Sequence, residues 1–212
     1  MSMKKRILCF GDSNTWGYNA VDASRFDERI RWTALVQKEL GDEYEVIEEG
    51  QNGRTTVRDD HVENRLSGLT CLRPCMESHA PFDLIVIMLG TNDTKTYFSM
   101  SPQDIADGAG TLASIALHCP YGPEGKAPKV LLVSPIAVAE DNPYDGLFGE
   151  QAALKTRGFL QAYSKTAEKL NCAFLDAAEY AAPGKVDGVH LDEAGHRALA
   201  EAMSAKIREL IG

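Results

Sequence analysis

Residues 83–93 read DLIVIMLGTND. Six consecutive apolar side chains, Leu84 to Leu89, are followed at once by Gly90, Thr91, Asn92 and Asp93. A run apolar on both alternating faces and only six residues long suits a strand buried on both sides, the kind a parallel sheet covered by helices requires. KVLLV at 129–133 has the same character. Working outward from these two, strands are expected at 6–10 (RILCF), 44–48 (YEVIE), 83–89, 129–133 and 172–175 (CAFL). Amphipathic stretches about 29–40, 59–68, 102–118, 150–170 and 193–211 fill the gaps as helices. In the last, Leu199, Met203, Ile207 and Leu210 make a single apolar stripe, and Asp192 stands as its N-cap. Alternating strand and helix predicts an α/β fold: a three-layer doubly wound sheet.

Composition fits that class and excludes others. The 212 residues are 44% apolar and 25% charged, so one domain spanning 1–212 is expected. A net charge of −9 opposes nucleic acid or anionic lipid as partner, since either needs a basic face to release counterions. Lys4-Lys5-Arg6 is followed by four apolar residues, too few for a signal-peptide core, and no run nears the roughly 18 that cross a bilayer. Cys9, Cys71, Cys75, Cys119 and Cys172 form an odd set without framework spacing, so reduced thiols and a cytoplasmic location are expected. Cys71 and Cys75 could be read as a metal or redox pair, but they lack a second pair and the CxxC spacing.

In an open α/β sheet, ligands bind beyond the carboxyl ends of the strands. The first strand ends at Gly11-Asp12-Ser13-Asn14, and the second leads to Gln51-Asn52-Gly53. The third ends at Gly90-Thr91-Asn92-Asp93, and Asp187-Gly188-Val189-His190 follows the fifth. A hydroxyl, a glycine, an amide and an Asp/His pair thus converge on one edge. A serine needs a base to become a nucleophile, and histidine with an orienting aspartate supplies one. Ser13, His190 and Asp187 are therefore candidates for acyl transfer. The main-chain N–H groups of Ser13 and Gly53 and the Asn92 amide are the candidate oxyanion donors.

Each feature also has a plainer reading. Ser13 could be an N-cap, Asn52-Gly53 a common turn, Thr91-Asn92-Asp93 a cap, and His190 a loop histidine. His61, His79, His118 and His196 are read as surface or structural. A metal reading of Asp187, His190, Asp192 and His196 lacks the HExxH spacing. Gly108 to Ala113 has the letters of a dinucleotide loop but lies within an expected helix, and no GxxxxGK[ST] occurs.

GDSN (11–14), QNG (51–53), GTND (90–93) and DGVH (187–190) resemble the four blocks of the SGNH hydrolases, the GDSL-type esterases, with Asn14 where leucine is usual. RILCFGDS, the RW at 31–32, YEVIEEG, RTT, IMLGTNDTKTYF, APKVLLVSP and DGVH are similar to its arylesterase and acyltransferase branch. The resemblance implies a flavodoxin-like sheet of five parallel strands, a Ser13–Asp187–His190 triad, and an oxyanion hole completed by Gly53 and Asn92. It implies short acyl esters as substrates, hydrolysis with possible transfer to alcohols or peroxide in that branch, no cofactor and no metal, and a homo-oligomer, often an octamer. Asp12, Trp16 and Tyr18 flank the nucleophile as candidate pocket residues, with core packing the alternative for the aromatics. The segments 18–28 and 138–150 match the branch least and are expected to shape the pocket and subunit contacts. Pro143, Gly146 and Gly149 beside Tyr144, Leu147 and Phe148 make an unusual apolar loop, read as a hint of self-association. A carbohydrate O-acetylesterase is the alternative enzyme, and a catalytically silent doubly wound binding module the alternative outside enzymes.

Overall fold

The computed structural model describes residues 4–144 and 146–212. Five parallel strands, β1 (Lys5–Gly11), β2 (Tyr44–Gly50), β3 (Leu84–Met88), β4 (Lys129–Ser134) and β5 (Ala173–Asp176), pair in the order β2-β1-β3-β4-β5. Each expected strand is present, displaced by at most two residues at an end. The winding reverses between β1 and β3, which makes the sheet flavodoxin-like and leaves a crevice at that switch point.

Alternation along each strand builds two cores. Ile7, Cys9, Leu84, Val86, Leu131 and Val133 face α2 (Trp32–Leu40) and α7 (Glu193–Ile211). Leu8, Phe10, Ile85 and Ile87 face α3 (Gly68–His79), α4 (Pro102–Leu117) and α6 (Phe159–Leu170). The stripe on α7 buries Leu199, Met203 and Ile207, and Asp192 caps that helix by accepting from the Gly195 N–H at 2.9 Å. Ser101 and Asp104 form a reciprocal capping box at the start of α4. Among the described residues, no helix is long and apolar enough to cross a membrane.

Two expected helices are corrected. The stretch 59–68 is a tight loop in which Asp60 and Arg65 exchange both main-chain hydrogen bonds at 2.8 Å. The Asp60 carboxylate also accepts from the Val62 and Glu63 N–H groups, and such local bonds compete with a helix. The helix begins where Ser67 accepts from Thr70 N–H, and runs through Pro74 to His79. Its buried face is Gly68, Leu72 and Met76; Gly68 and Pro74 had disguised it. The expected helix 150–170 is two, α5 (Gly149–Arg157) and α6, parted at Gly158, against which Pro102 packs.

Candidate active site

A short helix α1 (Ser13–Trp16) starts immediately after β1, so Ser13 stands at the switch-point edge of the sheet. Asp12 is its N-cap, with Oδ1 accepting from the Asn14 N–H at 2.9 Å. On the far side of the chain, the turn 187–190 brings His190 to Ser13. Asp187 Oδ1 accepts the main-chain N–H groups of Val189 and His190, each at 2.9 Å. Its other oxygen lies 2.5 Å from His190 Nδ1, and His190 Nε2 lies 2.9 Å from Ser13 Oγ. A continuous hydrogen-bonded chain from hydroxyl to imidazole to carboxylate results. Burial opposes ionisation of Asp187, but the bonds from His190 and Val189 outweigh it and hold the carboxyl below its usual range. The carboxylate is thus charged, and it fixes the orientation of the imidazole that faces Ser13.

Gly53 and Asn92 enter the same cavity, a cleft of about 190 Å³. Gly53 has φ +78°, in the left-handed region, and a Cβ there would lie 2.7 Å from Arg65 Cγ. Only glycine lets the main chain turn so close to the cleft. Asn92 spends one amide hydrogen on the Arg54 carbonyl at 3.1 Å and has a second to offer. The two donor loops are fastened together by buried Asp93, whose carboxyl accepts from the Thr56 N–H at 3.0 Å and its hydroxyl at 2.5 Å. Burial pushes this carboxyl up to about 7 despite those bonds. Asp12 is pushed up to about 6, again by burial.

The cleft lining is mixed. Tyr18, Tyr144, Leu147, Phe148 and Val189 are its apolar and aromatic members, with the Tyr18 and His190 ring centroids 4.4 Å apart. Asn52, Glu63, Arg65, Thr91 and Lys95 are among its polar members. Lys95 is fully buried and pairs with Asp60 at 2.8 Å and Glu63 at 2.5 Å. Burial alone would raise Asp60, but Lys95 and the Tyr97 hydroxyl hold it down at about 2. Asn52 Oδ1 and Thr91 Oγ1 are buried with no hydrogen-bond partner among the described residues.

Of the three flanking candidates, Tyr18 lines the cleft and the other two do not. Asp12 is turned back into α1, and Trp16 lies beneath the Arg25 guanidinium, 5.6 Å from its ring centroid. Of the apolar side chains of 138–150 singled out above, Tyr144 is exposed, Leu147 half-buried and Phe148 buried. Phe148 is buried with Val138, Ala152 and Val189, and with Tyr144 and Leu147 it faces the cleft.

The GDSL-like lipase/acylhydrolase family matches residues 9–198, a span that includes all four blocks. The chain belongs to this family. Membership makes it a carboxylic ester hydrolase. No curated protein matches the sequence. Among solved structures, the inhibitor-bound aryl esterase of M. smegmatis is 41% identical, with a TM-score of 0.93 over 98% of this chain and 100% of that one. A carbohydrate acetylesterase from Sinorhizobium meliloti is 39% identical, again with a TM-score of 0.93 over 98% and 100% of the two chains. A lipase/acylhydrolase from Enterococcus faecalis, 20% identical with a TM-score of 0.69 over 97% and 96%, shares the fold.

Sequence reasoning missed two members of this GDSL-family site. Asn14 brackets His190: its Nδ2 donates to the Val189 carbonyl at 3.3 Å and its Oδ1 accepts the Leu191 N–H at 2.8 Å. The amide at the usual leucine position therefore splices α1 to the histidine turn, and that departure from GDSL was its only sequence signal. Asp93 was visible only as a cap, because its partner Thr56 is 37 residues away.

Proposed function

We propose that this GDSL-family hydrolase cleaves short-chain acyl esters through an acyl-enzyme, with the whole chain acting as one domain. Ser13 Oγ attacks the ester carbonyl while His190 Nε2 accepts its proton, and Asp187 holds the imidazole and stabilises its protonated form. The Ser13 and Gly53 N–H groups and the Asn92 amide receive the oxyanion. His190 then returns the proton to the leaving alkoxide, and a water activated by the same histidine releases the acid. The observation that carries this reading is the unbroken Ser13–His190–Asp187 chain at 2.9 and 2.5 Å beside a cleft lined by Gly53 and Asn92.

The test is Ser13→Ala, expected to lower p-nitrophenyl acetate turnover by about 10⁴-fold or more while staying folded. A fluorophosphonate should label the parent protein at Ser13 and leave the variant unlabelled. Normal turnover by the variant would overturn the assignment. Acetyl, butyryl and octanoyl esters tested in series should show falling rates, because the cleft lined by Tyr18, Tyr144 and Phe148 holds only about 190 Å³; a preference for octanoyl refutes that.

A second reading, removal of O-acetyl groups from sugars, is favoured by the polar residues of the cleft. Asn52, Glu63, Arg65 and Thr91 give the cleft lining hydrogen-bonding capacity. Sugar hydroxyls are groups that would use it. Comparing kcat/KM for acetylated xylose and p-nitrophenyl acetate separates the two readings.

Five free thiols support a reducing compartment such as the cytoplasm. We also propose a homo-oligomer, supported by the exposed Val62, Leu66 and Leu69 along one loop and the helix it enters, and checked by sedimentation velocity.

A further inference from the structure

Helix α3 carries Cys75 and His79 at i and i+4, so both side chains lie on one face. That face meets the carboxyl end of β2 at Glu49. The His79 Nε2 and Glu49 Oε1 atoms are 2.7 Å apart, and the ligand atoms of Glu49, Cys75 and His79 all lie within 4.8 Å of one another. All three side chains are half-buried, so solvent reaches the cluster. The ester chemistry uses none of them, and the sequence alone left His79 as a surface or structural residue.

We propose that Glu49, Cys75 and His79 form a binding site for a borderline-soft divalent cation such as Zn²⁺, with water as the remaining ligand. A thiolate sulfur, an imidazole nitrogen and a carboxylate oxygen are the donor types this ion takes, and three protein ligands with one open position make a four-coordinate shell. Metal–ligand bonds of about 2.0–2.3 Å place tetrahedral ligand atoms roughly 3.3–3.8 Å apart, so the cluster closes onto an ion by about an ångström of rotamer adjustment. Harder cations such as Mg²⁺ prefer an all-oxygen shell and do not fit this set.

Burial and then the Glu49 carboxylate push the Cys75 thiol up to about 12, so the metal-free site holds a thiol. The ion displaces that one proton to solvent. His79 binds through Nε2 as neutral imidazole with its proton on Nδ1. Thiolate and carboxylate together neutralise the dication. The nearby Arg54 guanidinium is held by the Gly11 and Glu49 carbonyls and Gln51 Oε1, and its charge weakens the site's hold on a cation. Cys71, one turn before Cys75, has its thiol directed 3.8 Å from Gln51 Oε1 and is outside the triad of ligands.

Chelator-treated protein titrated with Co²⁺ is the test, since a cobalt–thiolate bond gives a near-ultraviolet charge-transfer band independent of ester hydrolysis. The expected result is saturation at one equivalent, bleaching by Zn²⁺, loss of the band in Cys75→Ser and retention in Cys71→Ser. His79→Gln and Glu49→Gln should each weaken binding tenfold or more. Because His79 and Glu49 are half-exposed, these two variants carry the test if Cys75→Ser does not fold. No band at stoichiometric cobalt, a band that survives in Cys75→Ser, or unchanged affinity in His79→Gln and Glu49→Gln overturns the proposal.

Discussion

Replacing Asp187 by asparagine isolates what the carboxylate does. Its Oδ1 accepts two main-chain N–H bonds at 2.9 Å and its Oδ2 takes the His190 Nδ1 bond at 2.5 Å. An asparagine of the same shape keeps the first two bonds through its amide oxygen. Its NH₂ stands where Oδ2 was, and can only donate. Nδ1 must then become the acceptor, which moves the ring proton to Nε2, the atom 2.9 Å from Ser13 Oγ. A protonated Nε2 cannot take the serine proton. The cost expected of the wrong tautomer is about 10⁴-fold in kcat, which at 1.36 kcal/mol per decade is about 5 kcal/mol of barrier. Stability suffers less, by about 1.5–3 kcal/mol, because the three bonds persist, the one to Nδ1 reversed, but lose the charge of the carboxylate. Initial rates on p-nitrophenyl acetate read the first number and urea unfolding the second. A folded variant within tenfold of the parent kcat would show that Asp187 does not set the tautomer, and the proposed mechanism would lose its third member.

Asn92→Ala should lower kcat by about 10²–10³-fold, or 3–4 kcal/mol, if its second amide hydrogen meets the oxyanion; a change confined to KM would argue against that. Asn14→Leu restores the usual family residue yet strands the buried Val189 carbonyl and Leu191 N–H, for about 2–5 kcal/mol of stability. Its kcat should fall as the His190 turn loosens, and a variant with unchanged unfolding and turnover would deny Asn14 its positioning role. Burial above all holds the His196 imidazole down at about 4, so between pH 6.5 and 4 the unfolded chain takes up a proton that the native protein refuses. His196 therefore costs stability as pH falls through that window, about 3 kcal/mol in full. The neutral replacement His196→Asn lacks this term, so its unfolding free energy should gain on the parent by that amount between pH 6.5 and 4. Asp12 and Asp93 titrate in the opposite sense in both proteins and drop out of the comparison. A constant difference across the window would refute the assignment.

Local pattern was enough for the sheet. DLIVIML and KVLLV are apolar on both faces because helices cover both sides, and Ser101 and Asp192 mark helix starts by bonds that reach only three residues. It failed where a local signal competed with a distant one. Asp60 holds 59–68 in a loop through bonds to its neighbours, while α3 persists through Pro74 because Leu72 and Met76 are buried against the sheet. Gly158 carried its message only through Pro102, 56 residues earlier.

The sequence by itself determined the strands, the helices α2, α4 and α7 and the polar residues that follow four of the strands, since all of these depend on side-chain period and on neighbours a few positions away. It also carried the four family blocks. Which of those residues meet was decided only by the tertiary structure. The Ser13 and Asp187–His190 turns meet although β3 and β4 separate the strands they follow, and Asn14 and Asp93 act through partners 177 and 37 residues distant. The same packing turned Asp12 and Trp16 away from the cleft and brought Glu49 to Cys75 and His79. Hydrogen bonds and ligand geometry act over about 3 Å, and chain separation says nothing about that distance until the core has closed.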